Sequence, residues 1–285
     1  MLLSVIIPTY KRNETLGTCL KQLAPAIQGL SQDNYEIIVT NDAPLETTTD
    51  VPGPDFPKVH YNQGPQKGPA SNRNSGAKAA SGEWLVFLDD DCIPQPSFIS
   101  GYLEAIQQHP DYQVFEGCTL AERPKQRMDE EAPINEKGGY LWSCNFMIRQ
   151  KLFFDIGGFC ELYPYACMED VDFREQLKAR NEKFLFLPKA SVIHPWRAFA
   201  PEEKFLKMRL VSHAIFLDRY PIYKPSFYKT CHAVVRNWIL AVVKEAPSMK
   251  FRGFWRYCQR MATVTVSLFG IWSQSNSKAS RSSIS

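Results

Sequence analysis

Trp84-Leu85-Val86-Phe87-Leu88-Asp89-Asp90-Asp91-Cys92-Ile93-Pro94 is an apolar run that stops at three consecutive acids. A run this short, built of β-favouring residues, reads as a strand buried on both faces in the middle of a parallel sheet. The acids then stand at its carboxyl end, the edge where open α/β sheets bind ligands. Three carboxylates crowded there repel one another unless a cation shares the site, and such hard oxygen donors suit Mg²⁺ or Mn²⁺ held together with substrate phosphates. The same triplet also suits a solvated turn with helix-capping acids, so the flanking sequence has to decide.

The flanks repeat the pattern. Leu2 to Ile7 predicts a first strand, and Pro8-Thr9-Tyr10-Lys11-Arg12-Asn13 the loop at its carboxyl end. Leu16, Cys19, Leu20 and Leu23 recur at helical spacing until Pro25. Tyr35 to Thr40 predicts a second strand that again runs into an acid, Asn41-Asp42, which is the grammar of a right-handed parallel βαβ unit. Residues 43–57 form a Pro- and Thr-rich loop, and Val59-His60-Tyr61 a short strand. Gly68 to Gly82 is a helix of small residues that can lie close to a sheet or a ligand; its Arg73 either reaches a phosphate or stays in solvent.

Beyond the triplet the spacing predicts a helix from Pro96 to Gln108, a strand from Val114 to Leu120, a mobile charged loop over 121–138, and a strand from Leu141 to Ile148. A Gly157-Gly158-Phe159 turn precedes a helix from Met168 to Ala179 whose first turn carries Glu169, Asp170 and Asp172. The helix dipole favours acids there, so capping is one reading of this second cluster. Phe184 to Leu187 and Ser191 to His194 are two further short strands, the second ending at His194.

With 285 residues, 44% hydrophobic and 22% charged, the chain is an ordinary globular protein. Its eight cysteines show no C-x-x-C pair, which predicts reduced thiols in a cytosolic protein. The start lacks a basic n-region and breaks at Pro8, so it reads as a strand and not a signal peptide. Charge is unevenly placed: residues 1–195 carry 18 Lys and Arg against 26 Asp and Glu, and residues 196–285 carry 15 against 4. The basic part predicts three helices, Lys204 to Tyr220, Cys231 to Lys244 and Met249 to Trp272. On the last, Phe251, Phe254, Trp255, Cys258 and Met261 share one face, and Lys250, Arg252, Arg256 and Arg260 the other. That pattern fits a helix lying on an anionic membrane surface, or one docked on the preceding domain with its charges in water. No RNA-binding module is present, so nucleic acid is not an expected partner. Ser273 to Ser285 reads as a disordered tail.

The order of these pieces resembles the inverting, family 2 type of GT-A glycosyltransferase. The resemblance covers residues 3 to about 195. It rests on Ser4 to Tyr10, Glu36 to Asp42, Arg73-Asn74-Ser75-Gly76 through Phe87 to Asp91, Gly157-Gly158-Phe159, and Glu169-Asp170-Val171-Asp172. It implies an α/β, GT-A Rossmann-like fold, a mostly parallel central sheet flanked by helices with a helical C-terminal extension. The catalytic domain would span 1–195, a basic, aromatic-rich extension 196–272, and a tail 273–285. It further implies that Pro8, Thr9 and Tyr10 line the base pocket, that Asp42 accepts from the base N–H, and that Arg73 approaches the diphosphate. Asp89 would lie near the ribose and Asp91 would bind the metal, Mn²⁺ or Mg²⁺, with His194 as a further ligand. Arg12 and Asp90 fall on the donor side, Asp90 in the motif's variable slot. Asp170 would be the general base, with Glu169, Trp196 and Arg197 toward the acceptor.

The chemistry asks for these types independently. Departure of a nucleoside diphosphate leaves negative charge on phosphate oxygens, which a carboxylate-held divalent ion stabilises. The attacking hydroxyl must lose a proton to a nearby carboxylate. One base and no second nucleophile imply a single displacement with inversion. The processive polymerases of the family carry Q-x-x-R-W and membrane spans; here Trp196-Arg197 lacks the glutamine, and no apolar run reaches the roughly 20 residues of a span. The expectation is therefore a single-addition transferase moving a sugar from a nucleotide-sugar donor, a UDP-sugar first of all, to a glycan or lipid-linked acceptor, in the cytoplasm or peripherally on the inner membrane face. Two alternatives are a sugar nucleotidyltransferase, whose Gly-rich basic loop after strand one is missing, and a non-catalytic nucleotide-sugar or glycan-binding module.

Overall fold

The computed structural model describes residues 3–44, 59–199 and 203–265. Most of the Pro- and Thr-rich loop and the Ser-rich tail lie outside the described residues. The chain divides into two compact units, one of residues 1–122 with 132–195, the other of 123–131 with 196–285.

The first unit is a mixed eight-stranded sheet. Its elements run β1 (Leu3–Thr9), α1 (Asn13–Gln22), α2 (Pro25–Gln28), β2 (Tyr35–Asn41), β3 (Val59–Gln63), α3 (Pro69–Ala79), β4 (Trp84–Leu88), β5 (Ile93–Pro94) and α4 (Phe98–Gln108). After β6 (Val114–Ala121), the strand β7 (Glu130–Glu131) belongs to the second unit. The first unit resumes with β8 (Asn145–Arg149), α5 (Gln150–Asp155), α6 (Glu169–Ala179) and β9 (Phe184–His194). The strand order is β3-β2-β1-β4-β8-β6-β9-β5.

Strand direction decides where the site falls. β1, β2, β3 and β4 are parallel. β8 is antiparallel to both β4 and β6, so two reversals return β6, and β9 parallel to it, to the direction of β4. The carboxyl ends of β1, β2, β4 and β9 therefore share one edge. Tyr10, Asp42, Asp89 and His194 are delivered to that edge from four different strands.

Alternation along the strands fills two cores. Val5, Ile7, Val86 and Leu88 face α1 and α4 through Leu16, Leu20, Phe98 and Tyr102. Ile6, Leu85 and Phe87 face α3, α5 and α6 through Ala77, Phe153 and Phe173. Gly76 explains the small-residue helix, because a Cβ there would stand 2.5 Å from Ile6 Cγ2 and 2.7 Å from Thr40 Oγ1. Cys19, Cys92, Cys118 and Cys144 are buried free thiols.

Several elements differ from the sequence expectation. Residues 141–144 are loop and not strand, since Leu141 sits at φ 52° and β8 begins only at Asn145. The two short strands after α6 are one 11-residue strand, β9, with a register break opposite Gly117 and Cys118. Pro188 lacks the amide that would continue the ladder there. The Asn145 amide fills the gap, donating to Cys118 O at 2.9 Å and Ala190 O at 3.0 Å while Tyr102 donates to its oxygen at 2.6 Å. The helix α5 has no counterpart in the sequence reading.

The second unit contains the β7–β10 pair (β10 Arg197–Ala198), α7 (Glu203–Arg219), α8 (Lys224–Lys244) and a helix over 254–265. Residues 123–131, expected as part of a mobile loop, are clamped by arginines. Asp129, fully buried, takes a fork from Arg127 at 2.9 and 3.0 Å. Glu130 pairs with Arg123 at 2.8 Å, and Glu131 with Arg209 at 2.8 Å and Arg260 at 3.0 Å. The helix expected from Met249 starts instead at residue 254, because Lys250, Phe251 and Gly253 adopt positive φ. Gly253 must be glycine: a Cβ would come within 1.9 Å of Asp129 Oδ1. Phe254, Cys258 and Met261 are half-buried, whereas Trp255 is 82% exposed beside Arg256. Among the described residues no helix is long and apolar enough to cross a membrane.

Candidate functional site

The acid triplet ends β4 and is held differently at each position. Asp90, buried, accepts from Thr9 Oγ1 at 2.7 Å and from Arg12 Nη1 at 3.0 Å. The middle acid thus fastens the loop after β1 to the end of β4, and Thr9 and Arg12 are engaged with it. Tyr10, between them, is 55% exposed with Lys11 Nζ 5.4 Å above its ring, and Pro8 is a β1 residue in register with Thr40.

Asp91 is brought to His194. β5 makes this contact: Ile93 pairs with Ile193 and Pro94 with Val192, so the residue before Cys92 meets the end of β9. His194 Nε2 stands 3.5 Å from Asp91 Oδ1, both side chains nearly fully buried. The other ring nitrogen lies 2.8 Å from Pro195 O. A carbonyl only accepts, so Nδ1 carries the proton, and burial holds the ring's pKa below its ordinary value. A neutral imidazole then turns a bare Nε2 toward a carboxylate, an arrangement that fits a shared divalent cation. Cys92 Sγ is near both, but burial raises its pKa and the thiol points to Cys144 O at 3.8 Å, so Asp91 and His194 are the residues that could hold a metal.

Arg73 is not in solvent. It is 3% exposed and joins the two acid clusters, Nη2 to Asp89 Oδ1 at 2.7 Å and Nη1 to Glu169 Oε1 at 3.1 Å. Beside it Asn74 ties down the Gly-Gly-Phe turn, donating to Phe159 O and accepting from Phe159 N, each at 2.9 Å. Glu169 and Asp170 open α6 behind Met168, whose left-handed φ of 75° is unusual for a side chain with a Cβ. Burial raises the Asp170 pKa against the backbone amides of Val171 and Ser143 and the charge of Arg73. Burial, then the neighbouring Asp170, push Glu169 up despite Arg73. A buried pair of carboxyls beside one guanidinium retains a proton on one member, as acid–base work requires.

Asp42 accepts from the backbone amides of Gln66 at 2.5 Å and Gly68 at 2.9 Å, which holds the loop before α3. Trp196 and Arg197 belong to the second unit, where Trp196 Nε1 donates to Arg123 O at 2.7 Å and Arg197 pairs with Glu131 in the β10–β7 ladder. Sequence reasoning missed Asn72, whose amide donates to Thr40 O at 2.8 Å and binds the end of β2 to α3. It also missed Glu116, a buried acid inside a strand, which was itself a signal.

Residues 4–160 match the family model described as Glycosyl transferase family 2. This chain belongs to that family. It is 28% identical over 186 residues to an uncharacterized glycosyltransferase of Haemophilus influenzae, covering 60% of each chain. It is 25% identical over 277 residues to validoxylamine A glucosyltransferase of Streptomyces hygroscopicus, covering 83% of this chain and 60% of the relative. With GalNAc(5)-diNAcBac-PP-undecaprenol beta-1,3-glucosyltransferase of Campylobacter jejuni it shares 28% identity, covering 65% and 58%. The chain thus spans about 60% of the length of these curated relatives. The crystal structure of S. aureus TarS 1-349 in complex with UDP superposes with TM-score 0.54 at 22% identity, over 75% of this chain and 65% of that one. The fold of this family 2 member is accordingly the GT-A type.

Proposed function

We propose that this family 2 chain transfers a sugar from a nucleotide-sugar donor, a UDP-sugar first of all, to an acceptor hydroxyl by a single displacement with inversion. The observation that carries the reading is the Arg73 bridge: one buried guanidinium links Asp89 of the donor-side triplet to Glu169, the neighbour of Asp170. Asp170 takes the proton of the attacking hydroxyl as its oxygen bonds to the sugar's anomeric carbon. The bond from that carbon to the diphosphate oxygen breaks, and its electron pair leaves with the nucleoside diphosphate. Arg73 holds Asp89 and Glu169 in place, and Asp90 does the same for Thr9 and Arg12. A divalent ion, Mn²⁺ or Mg²⁺, at Asp91 and His194 would supply Lewis-acid stabilisation of the departing diphosphate.

Two relatives named as glucosyltransferases, one of them for an undecaprenol-linked acceptor, and a structural neighbour seen with UDP and with UDP-GlcNAc support this donor class and a glycan or lipid-linked acceptor. The basic second unit, with Trp255, Ile222 and Val243 exposed by 82, 81 and 65%, supports peripheral binding to an anionic membrane surface. Flotation with anionic and neutral liposomes tests that attachment, and equal recovery with both refutes it. The donor reading is tested by calorimetry with a panel of nucleotide sugars, with and without Mn²⁺. Stabilisation by UDP-sugars with Mn²⁺, and anomeric inversion in the product by NMR, are expected; binding of none of the panel overturns it.

A further inference from the structure

Residues 138–143 form a loop that is built more firmly than a connection requires. Glu116, buried in β6, accepts from the consecutive amides of Gly139 at 2.6 Å, Tyr140 at 2.7 Å and Leu141. Asn135 adds a bond to the same carboxylate at 2.8 Å and accepts from Gly138 N at 2.8 Å. Gly138, Gly139 and Leu141 all have positive φ, and for Leu141 that conformation is strained. Strain of this kind persists only where the surroundings over-determine it, and here a carboxylate does so.

What the loop holds out is an aromatic pair. Tyr140 stacks on Trp142 with ring centroids 5.1 Å apart and planes within 10°. Trp142 is half-buried against the core on the α1 side, while Tyr140 remains 47% exposed. Nothing in packing requires a tyrosine to remain nearly half exposed on a rigid support.

The same loop touches the proposed base. The Ser143 amide donates to the Asp170 carboxyl. From the next turn of α6, Arg174 Nη1 lies 3.3 Å from the carbonyls of both Gly139 and Tyr140. The aromatic pair and Asp170 are thus tied to each other through backbone contacts on both sides.

Accepting the glycosyltransfer reading above, we propose that Tyr140, backed by Trp142, is the platform on which a sugar ring of the acceptor lies while one of its hydroxyls faces Asp170. A pyranose presents an apolar C–H face and an equatorial rim of hydroxyls. A rigid exposed aromatic matches the first, and a carboxylate at the platform's root matches the second. The acceptor class that follows is a glycoside, whatever carries it. A bare lipid phosphate has no ring to lie there.

Saturation-transfer NMR in the presence of UDP and Mn²⁺ tests this, with the methyl β-glycosides of glucose, galactose and N-acetylglucosamine as probes. The ring C–H protons of at least one probe are expected to receive saturation. Tyr140→Ala should weaken that probe roughly three- to tenfold, the range of one aromatic contact, and Tyr140→Phe should stay within about twofold of the parent. UDP affinity by calorimetry should be the same in all three proteins. No saturation of any probe, or equal binding by Tyr140→Ala, overturns the platform. Loss of UDP binding in the parent protein instead defeats the donor reading on which it rests, so the two failures are distinct.

Discussion

Arg73 and Glu169, 96 positions apart in the chain, are joined by a hydrogen bond at 3.1 Å with both side chains 3% exposed. The pair locks α3 to the first turn of α6, and the other arm of the guanidinium reaches the acid triplet. Removing the arginine strands the Asp89 carboxylate without its cation and leaves the buried Glu169 carboxyl without its hydrogen-bond partner. Breaking a buried pair in this way typically destabilises by about 3–5 kcal/mol. Arg73→Met is expected to lower unfolding free energy by about that much in urea titrations, and Arg73→Lys, which lacks the fork, should recover only part. A change under about 1 kcal/mol in Arg73→Met would show the bridge to be dispensable.

Glu169 gives stability a pH dependence of definite sign. Its carboxyl ordinarily titrates near 4.5 and is pushed up to about 8 in the fold, by burial first and Asp170 second. A raised folded-state pKa means the native protein keeps a proton that the unfolded chain releases. The contribution is full below 4.5 and is lost as pH climbs through about 8. Urea midpoints measured across that window should fall with pH, and Glu169→Gln should flatten the slope. An unchanged slope in that variant would place the proton elsewhere.

Asp170→Asn separates base from cap. Asparagine keeps the size and the capping ability but accepts no proton at neutral pH. Transfer should drop roughly 10²–10⁴-fold with melting temperature and UDP affinity near those of the parent. Turnover within about tenfold of the parent would make Asp170 a cap and direct the search to Asp172.

On the proposed reading Mn²⁺ is expected to raise UDP affinity in the parent protein, and Asp91→Ala and His194→Ala should each remove that gain. Losing a direct ligand is expected to weaken the metal by at least the roughly 10–100-fold seen for outer-shell partners. Calorimetry with Mn²⁺ and UDP reads it, beside a melting curve for each variant. Retained metal dependence in a folded Asp91→Ala protein would remove Asp91 from the metal site.

Much of the sheet was readable in the chain because β1, β2 and β4 are buried on both faces, and short apolar runs ending in acids announce that placement. The pairing order was not. β8 enters between β4 and β6 through contacts far apart in sequence, and no local pattern reports them. The sequence assigns Asp90 no role of its own, because its spacing in the triplet says nothing about Thr9 and Arg12. In the sequence Glu169 reads as a cap or, by resemblance, as an acceptor-side acid, because an acid in a first turn looks the same whether an arginine from another helix reaches it or not. Helical periodicity in the last basic segment agrees with the structure over 254–265, the rest of the expected helix to Trp272 lying outside the described residues, and misleads before Phe254, where Asp129 sets the backbone of Gly253 from more than a hundred residues away.

The segment 123–131 has a consequence for how the chain is made. Two of its acids, Asp129 and Glu131, leave the ribosome long before Arg209, Arg256 and Arg260, the partners contributed by the later helices. During synthesis Arg127 and Arg123, inside the segment itself, can already pair with Asp129 and Glu130, while Glu131 waits for Arg209 and Arg260. The second unit is completed only when the last described helix has emerged. A protein expressed from residue 196 onward would therefore lack β7, the partner of β10, and one stopped at residue 195 would carry β7 without β10 and without the arginines that pair with Glu131.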